Sequence, residues 1–197
     1  MKNCNKPMQG FTILECVVVM ALASILAGIA IVNTSGSSQV AKAENATDLV
    51  LSQMRMARML AITQRRNVSV NIDTNFTGPA NGQQLMIQVV ALPGDPPLPV
   101  QIVPLPNGTQ FVLEPGVPDT PMNFGNSAPI YFNGTAGGPS VMQFTPSGAF
   151  LDGNNNILNG TIFLGVPISP STARAIPIMG GAGNIQRFTW TGTQWVR

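Results

Sequence analysis

An apolar run near the N-terminus constrains this chain more than any other feature. Between Cys16 and Val32 there is no charged residue, and Ser24 is the single polar side chain. With Phe11 to Leu14 included, the stretch covers about 22 residues, or roughly 33 Å of helix, enough for the hydrocarbon core of a bilayer. Lys2 and Lys6 precede the run and Asn33-Thr34-Ser35-Gly36 follows it. The excess of basic residues before the run predicts a cytoplasmic N-terminus and an extracytoplasmic remainder. A cleavable secretory signal carries its small-residue cut site after the apolar stretch, whereas Ala21-Leu22-Ala23 lies in its middle. Cys16 does not suit a lipid-modified cysteine, because Glu15 stands before it and the apolar residues follow it; it reads as an apolar helix residue.

Glu15 is the anomaly of this region. A carboxylate inside a spanning helix costs about 2.5–3.5 kcal/mol at the bilayer centre and less near the interface. Two readings stay open: the side chain snorkels to the cytoplasmic headgroups, or it pairs with a cation that another subunit supplies at the same depth.

The remainder of the chain argues against chemistry. Histidine is absent, which removes the commonest general base and metal ligand. The two cysteines, Cys4 and Cys16, lie in the leader and the apolar run, so neither staples a folded domain. The net charge of +2 resides in Lys2 and Lys6, and beyond Gly10 the charges balance. Charged residues make up 9% of the chain while Gly and Pro number 20 and 17, a composition rich in turns. At 197 residues one anchored domain is expected. There is no phosphate-binding loop, no Cys/His cluster and no Gly-x-Ser-x-Gly. The carboxylates Asp73, Asp95, Glu114, Asp119 and Asp152 fall mostly in expected turns. We therefore expect no enzyme, no cofactor and no bound metal.

Gly10-Phe11-Thr12-Ile13-Leu14-Glu15 leading into an apolar helix resembles the processing site of type IV pilins and type II secretion pseudopilins, whose usual form is Gly followed by Phe-Thr-Leu-Ile-Glu-Leu. The Leu/Ile order and Cys16 depart from that form. The resemblance implies that a prepilin peptidase cuts after Gly10 and methylates the new amino group of Phe11. It also implies that Glu15 assists assembly by meeting the Phe11 amine of a neighbouring subunit. Relatives often carry a helix-bending Pro at the position of Val32; here Gly28 and Gly36 are the candidates for flexibility.

Beyond Ser38 a helical period resumes, with Ala43, Ala46, Val50, Met54, Ala57 and Ala61 on one face and Glu44, Asp48, Ser52 and Arg55 on the other. The second face is expected to meet solvent or neighbouring subunits. After Arg66 the period changes to alternation. Strands are expected at Val68 to Asp73, Leu85 to Ala91, Val100 to Val103, Gln110 to Leu113, Ile130 to Phe132, Val141 to Thr145, Thr161 to Gly165, Ala175 to Met179, Ile185 to Trp190 and Gln194 to Val196. The last two flank a Thr191-Gly192-Thr193 hairpin turn. Pro and Gly concentrate in Leu92 to Pro106 and Glu114 to Gly138, which read as surface loops.

The Asn67-Val68-Ser69-Val70 strand, the Phe144-Thr145-Pro146-Ser147-Gly148 step and the Arg187-Phe188-Thr189-Trp190-Thr191-Gly192 hairpin narrow the likeness. Together with Arg55 and Arg58 they resemble the pseudopilin H group, also written GspH/FimT, of minor pseudopilins and minor pilins. The resemblance implies an α+β fold: a long N-terminal helix, transmembrane in its first half and amphipathic in its second, packed on a small all-antiparallel two-sheet β domain. In this chain the parts are a cytoplasmic leader (1–10), a transmembrane helix (11–33), its amphipathic continuation (34–66) and an extracytoplasmic β-rich domain (67–197).

Two surface motifs carry competing readings. Asp152, Asn154 and Asn156 place oxygens at alternate positions as calcium loops do, yet Ile157 and Phe163 stand where such a loop needs Gly and a bidentate Glu; a solvated turn is favoured. Arg174, Arg187 and Arg197, with Arg55, Arg58, Arg65 and Arg66, are candidate phosphate contacts beside Phe188, Trp190 and Trp195. Solvated or ion-paired arginines are favoured. The whole is read as a minor pseudopilin or minor pilin of a type II secretion system or type IV pilus. It would act in the bacterial inner membrane and at or near a filament tip, for protein secretion. The partners implied are prepilin peptidase, other pilin-like subunits and the inner-membrane assembly platform. A DNA-binding minor pilin for natural transformation and a membrane-anchored binding domain are the alternatives.

Overall fold

A computed structural model of the chain describes residues 12–75, 82–94, 96 and 99–197. It divides into two compact units, Met1–Ser38 and Gln39–Arg197. Helix α1, Ile13–Gln64, contributes residues to both. Its backbone stays helical through Gly28 and Gly36, so the two glycines do not break it.

In the first unit the described side chains are exposed from Thr12 to Leu26. They include Ile13, Leu14, Val17, Val18, Val19, Met20, Leu22, Ile25 and Leu26, each at least half accessible. Such a helix is apolar around its whole circumference and has no core of its own to enter. The hydroxyl of Ser24 donates to the Met20 carbonyl at 2.8 Å, so the one polar side chain of this stretch is satisfied within the helix. Among the described residues no helix is long and apolar enough to cross a membrane. The run expected to span includes residues 27 and 29–32, whose side chains lie outside the described set.

The second unit is a helix and two antiparallel sheets. In chain order the strands are β1 Val68–Asp73, β2 Gln84–Val89, β3 Val100–Pro104, β4 Ile130–Phe132, β5 Thr135–Ala136 and β6 Met142–Phe144. They continue with β7 Phe150–Asp152, β8 Asn159–Leu164, β9 Arg174–Met179, β10 Asn184–Ile185, β11 Phe188–Trp190 and β12 Trp195–Val196. The first sheet has the order β3-β2-β1-β6-β7; the second runs β12-β11-β9-β8-β4-β5, with β10 also on β9. Every pairing is antiparallel.

The helical face read from the sequence is the one that packs. Ala43, Ala46, Val50, Met54, Ala57 and Ala61 are all fully buried. The last five join Val68, Val70, Leu85 and Ile87 of the first sheet and Ile162, Leu164, Ile176 and Ile178 of the second in one core. The small alanines let the sheets approach the helix, while Phe132, Phe144 and Phe150 fill the wider space, with ring centroids 4.6 Å apart for Phe144–Phe150 and 5.7 Å for Phe132–Phe150. The helix ends in a Schellman-type turn: Arg65 takes φ 53° and the Arg66 N–H donates to the Ala61 carbonyl at 3.2 Å.

Most strand expectations hold to within one or two residues, and four details differ. Gln110 to Leu113 is not a strand; only Gln110 bridges, to Gly165. Ile185 to Trp190 divides in two, because Asn184–Ile185 pairs with Ile178–Met179 whereas Phe188–Thr189 pairs with Arg174–Ala175. β5 and β7 are short strands absent from the expectation; β7 follows the Phe144-Thr145-Pro146-Ser147-Gly148 step, which closes a hairpin on β6. The stretch from Glu114 onward is not merely a surface loop. Val117 and Thr120 are buried and Trp195 Nε1 donates to the Pro118 carbonyl at 2.9 Å. This segment covers the outer side of the second sheet, where Phe163, Ala175 and Phe188 form a second apolar cluster. That is why β8 is buried on both faces and lacks clean alternation.

Candidate functional site

The proposed cleavage and methylation residues Gly10 and Phe11 lie outside the described residues. Thr12 and Glu15 do not. The Glu15 N–H donates to Thr12 Oγ1 at 3.3 Å and the Cys16 N–H to the Thr12 carbonyl at 3.2 Å, which makes Thr12 the N-cap and Glu15 the third helical residue. A Thr followed three residues later by Glu is the local signal from which this cap could have been read. Glu15 therefore has a local task besides any intersubunit pairing. Its negative charge in the first turn opposes the partial positive charge of the unpaired helical N–H groups. Cys16 is a free, exposed thiol on the same turn.

The arginines separate into two groups. Arg174, at the start of β9, is only 2% exposed and is held by Glu44 of α1, with Nε 2.9 Å and Nη2 2.8 Å from Oε1. Its Nη1 donates to the carbonyls of Ser171 and Ala173 at 3.2 and 2.9 Å. Arg187 bridges Glu44 Oε2 at 3.3 Å and Asp48 Oδ1 at 2.9 Å. Arg174 and Arg187 are thus ion-paired: the Arg174 guanidinium is buried with its donors engaged, which leaves it no surface to offer a phosphate, and Arg187 meets two carboxylates. Glu44 and Asp48 do not simply face solvent or neighbouring subunits; they tie the second half of α1 to the second sheet. Arg197 is exposed at the C-terminus and is not joined to these two in a shared basic surface by any described bond.

Arg55 and Arg58 form the second group. Arg58 Nε donates to the Gly148 carbonyl at 3.0 Å and its Nη2 to the Ala182 carbonyl at 3.1 Å; Arg55 Nη2 reaches the Ile185 carbonyl at 3.4 Å. Among the described residues neither has a carboxylate partner.

The Asp152 segment is a turn. Asp152 Oδ1 accepts the N–H groups of Asn154 and Asn156, both at 2.8 Å, and Oδ2 accepts the Asn156 amide at 3.0 Å. Asn155 sits at φ 64°, the left-handed conformation such a turn needs. These bonds, the Asn156 side-chain amide foremost, hold the Asp152 carboxyl below its ordinary pKa. The carboxylate faces its own backbone, with Asn154 and Asn156 as donors to it rather than co-ligands. Among the described residues no group of three or more His, Cys, Asp or Glu is placed to hold a metal. Trp190 and Trp195 pack on each other with centroids 5.4 Å apart, against the β domain.

These features define a class: an α+β domain and an exposed apolar helical segment whose first turn is capped by Thr12 and carries Glu15. Residues 5–31 match the family model of the prokaryotic N-terminal methylation motif, which supports a type IV pilin-like chain that is processed as a prepilin. The matched span includes Gly10, Phe11 and Glu15. No curated protein and no solved structure matches the chain.

Proposed function

We propose that this chain is a minor pseudopilin or minor pilin of a type II secretion system or type IV pilus. It is cut after Gly10 by prepilin peptidase, methylated at Phe11 and assembled at or near the filament tip, with protein secretion as the process served. Before assembly it resides in the inner membrane as a single-pass protein, N-terminus cytoplasmic and β domain periplasmic. It has a structural task rather than a catalytic one. The observation that carries this reading is the methylation motif over residues 5–31 running straight into a helix with nine large apolar side chains exposed. At about 1.5–3 kcal/mol for each buried side chain, that surface demands lipid or other helices. Burial of Arg174 and neutralisation of Arg187 weigh against a DNA-capturing subunit.

Cleavage after Gly10 creates a cation at Phe11, four residues before Glu15, and a buried carboxylate without a partner is costly. Pairing between the Phe11 amine of one subunit and Glu15 of the next removes both costs. Mass spectrometry of the purified N-terminus should find methylated Phe11; an intact Met1, or a cut after Ala23, would sink the reading. Glu15→Ala and Glu15→Gln should both be inserted and cleaved but poorly incorporated into filaments. Normal incorporation of Glu15→Gln alone would assign Glu15 to helix capping, and of both variants to neither task.

A further inference from the structure

The second half of α1 carries two arginines, Arg55 and Arg58, that no described carboxylate answers. No acidic residue follows Asp48 in the sequence until Asp73. The described carboxylates of the Gln39–Arg197 unit are committed elsewhere: Glu44 and Asp48 to Arg174 and Arg187, Glu114 to the Ile168 N–H, Asp119 to the N–H groups of Thr120 and Gly125, Asp152 to its own turn. Asp73 caps the Asn75 N–H.

Arg55 and Arg58 line a groove of about 540 Å³ between this helix and the turn joining β9 to β10, with Met59 and Ile62 on the helix side and Gly183 and Asn184 opposite. Its apolar rim is open to solvent, Met59 at 67% and Ile62 at 43% exposure. The groove is built rather than incidental. Arg58 is pinned by the Gly148 and Ala182 carbonyls, one from each sheet. Two glycines make room for it. A Cβ at Gly148 would lie 3.1 Å from Arg58 Nε, and one at Gly183 would overlap the Gly148 carbonyl; both have positive φ. Arg55, by contrast, is exposed and holds one long bond, which leaves most of its donors for a visitor.

We propose that this groove docks a segment of another protein carrying an acidic side chain flanked by apolar ones. The carboxylate lies between the guanidiniums of Arg55 and Arg58, and the apolar neighbours cover Met59 and Ile62. Arg58 is held in place and the open donors of Arg55 suit a carboxylate fork, and the apolar rim adds area that a bare anion does not use. Nucleic acid fits less well, since no aromatic side chain lines the groove to stack on a base. The proposal stands on the Gln39–Arg197 unit alone and is independent of filament assembly.

The test is selection of a display library of random peptides on the full-length protein in detergent micelles. Asp or Glu flanked by Leu, Ile, Met or Phe should be enriched. A synthetic peptide of the selected sequence should bind roughly tenfold more weakly to Arg55→Gln, as expected for a lost charge-assisted bond, and to be displaced by salt. Arg55 is exposed and makes a single 3.4 Å bond, so that variant should fold as the parent does; Met59→Ser, equally exposed, should weaken binding without touching the charge. No enrichment, enrichment without acidic residues, or peptide binding indifferent to both substitutions would each overturn the proposal. So would binding of a short DNA duplex, lost in Arg55→Gln, in place of the peptide.

Discussion

At the scale of single residues, Arg174 shows how a buried charge becomes tolerable. Its guanidinium is 2% exposed and meets one carboxylate and two backbone carbonyls, so little of its hydrogen-bonding capacity is left without a partner. Removing Glu44 would strand that charge. Glu44→Ala should lose about 3 kcal/mol of stability, measured by urea unfolding of the β domain signal, while Asp48→Ala should lose under about 1 kcal/mol because its pair with Arg187 is largely exposed. Equal losses would mean that Arg174 finds another partner. None of this was legible from spacing. Glu44 and Arg174 are 130 residues apart, and the period of the helix shows only that Glu44 lies off the apolar face.

At the scale of elements, turns explain most of what the sequence did and did not disclose. Gly192 at φ 95° closes the β11–β12 hairpin where the Thr191-Gly192-Thr193 signal places it. β5 and β7 are only two and three residues long, too short for alternation to register. The Asp152 turn after β7 is held by hydrogen bonds to the ionised carboxylate, so its folded pKa is lowered. Its contribution to stability is present above the ordinary carboxylate pKa and is lost as pH falls through the lowered folded value. Asp152→Asn should therefore flatten the acid limb of a melting-temperature profile without changing its neutral-pH response to calcium. An acid limb identical to the parent's would show that the turn survives protonation.

At the scale of the whole molecule, each compact unit has its own solvent requirement. The Gln39–Arg197 unit holds the continuous core, fed by the alanine-rich face of α1 and both sheets. The described side chains of the Met1–Ser38 unit are exposed and mostly apolar. A chain lacking residues 1–38 should accordingly be soluble without detergent and keep its β-sheet circular dichroism, whereas the full chain should fractionate with membranes. Insolubility of the shortened chain would show that the helical extension contributes to the domain's fold.

The sequence by itself determined the apolar helix, the processing motif, the packing face from Ala43 to Ala61 and most strands, because each is written in neighbouring residues as a period or a short motif. The Thr12-to-Glu15 spacing carries a helix cap as well, a local signal that the expectations passed over. Only the tertiary structure decided which charges are spent and which remain. It buried Arg174 on Glu44, covered the second sheet with the Glu114 segment, and left Arg55 and Arg58 beside an open groove. Such pairings depend on which distant elements meet, and a periodicity along the chain carries no record of what lies across from it.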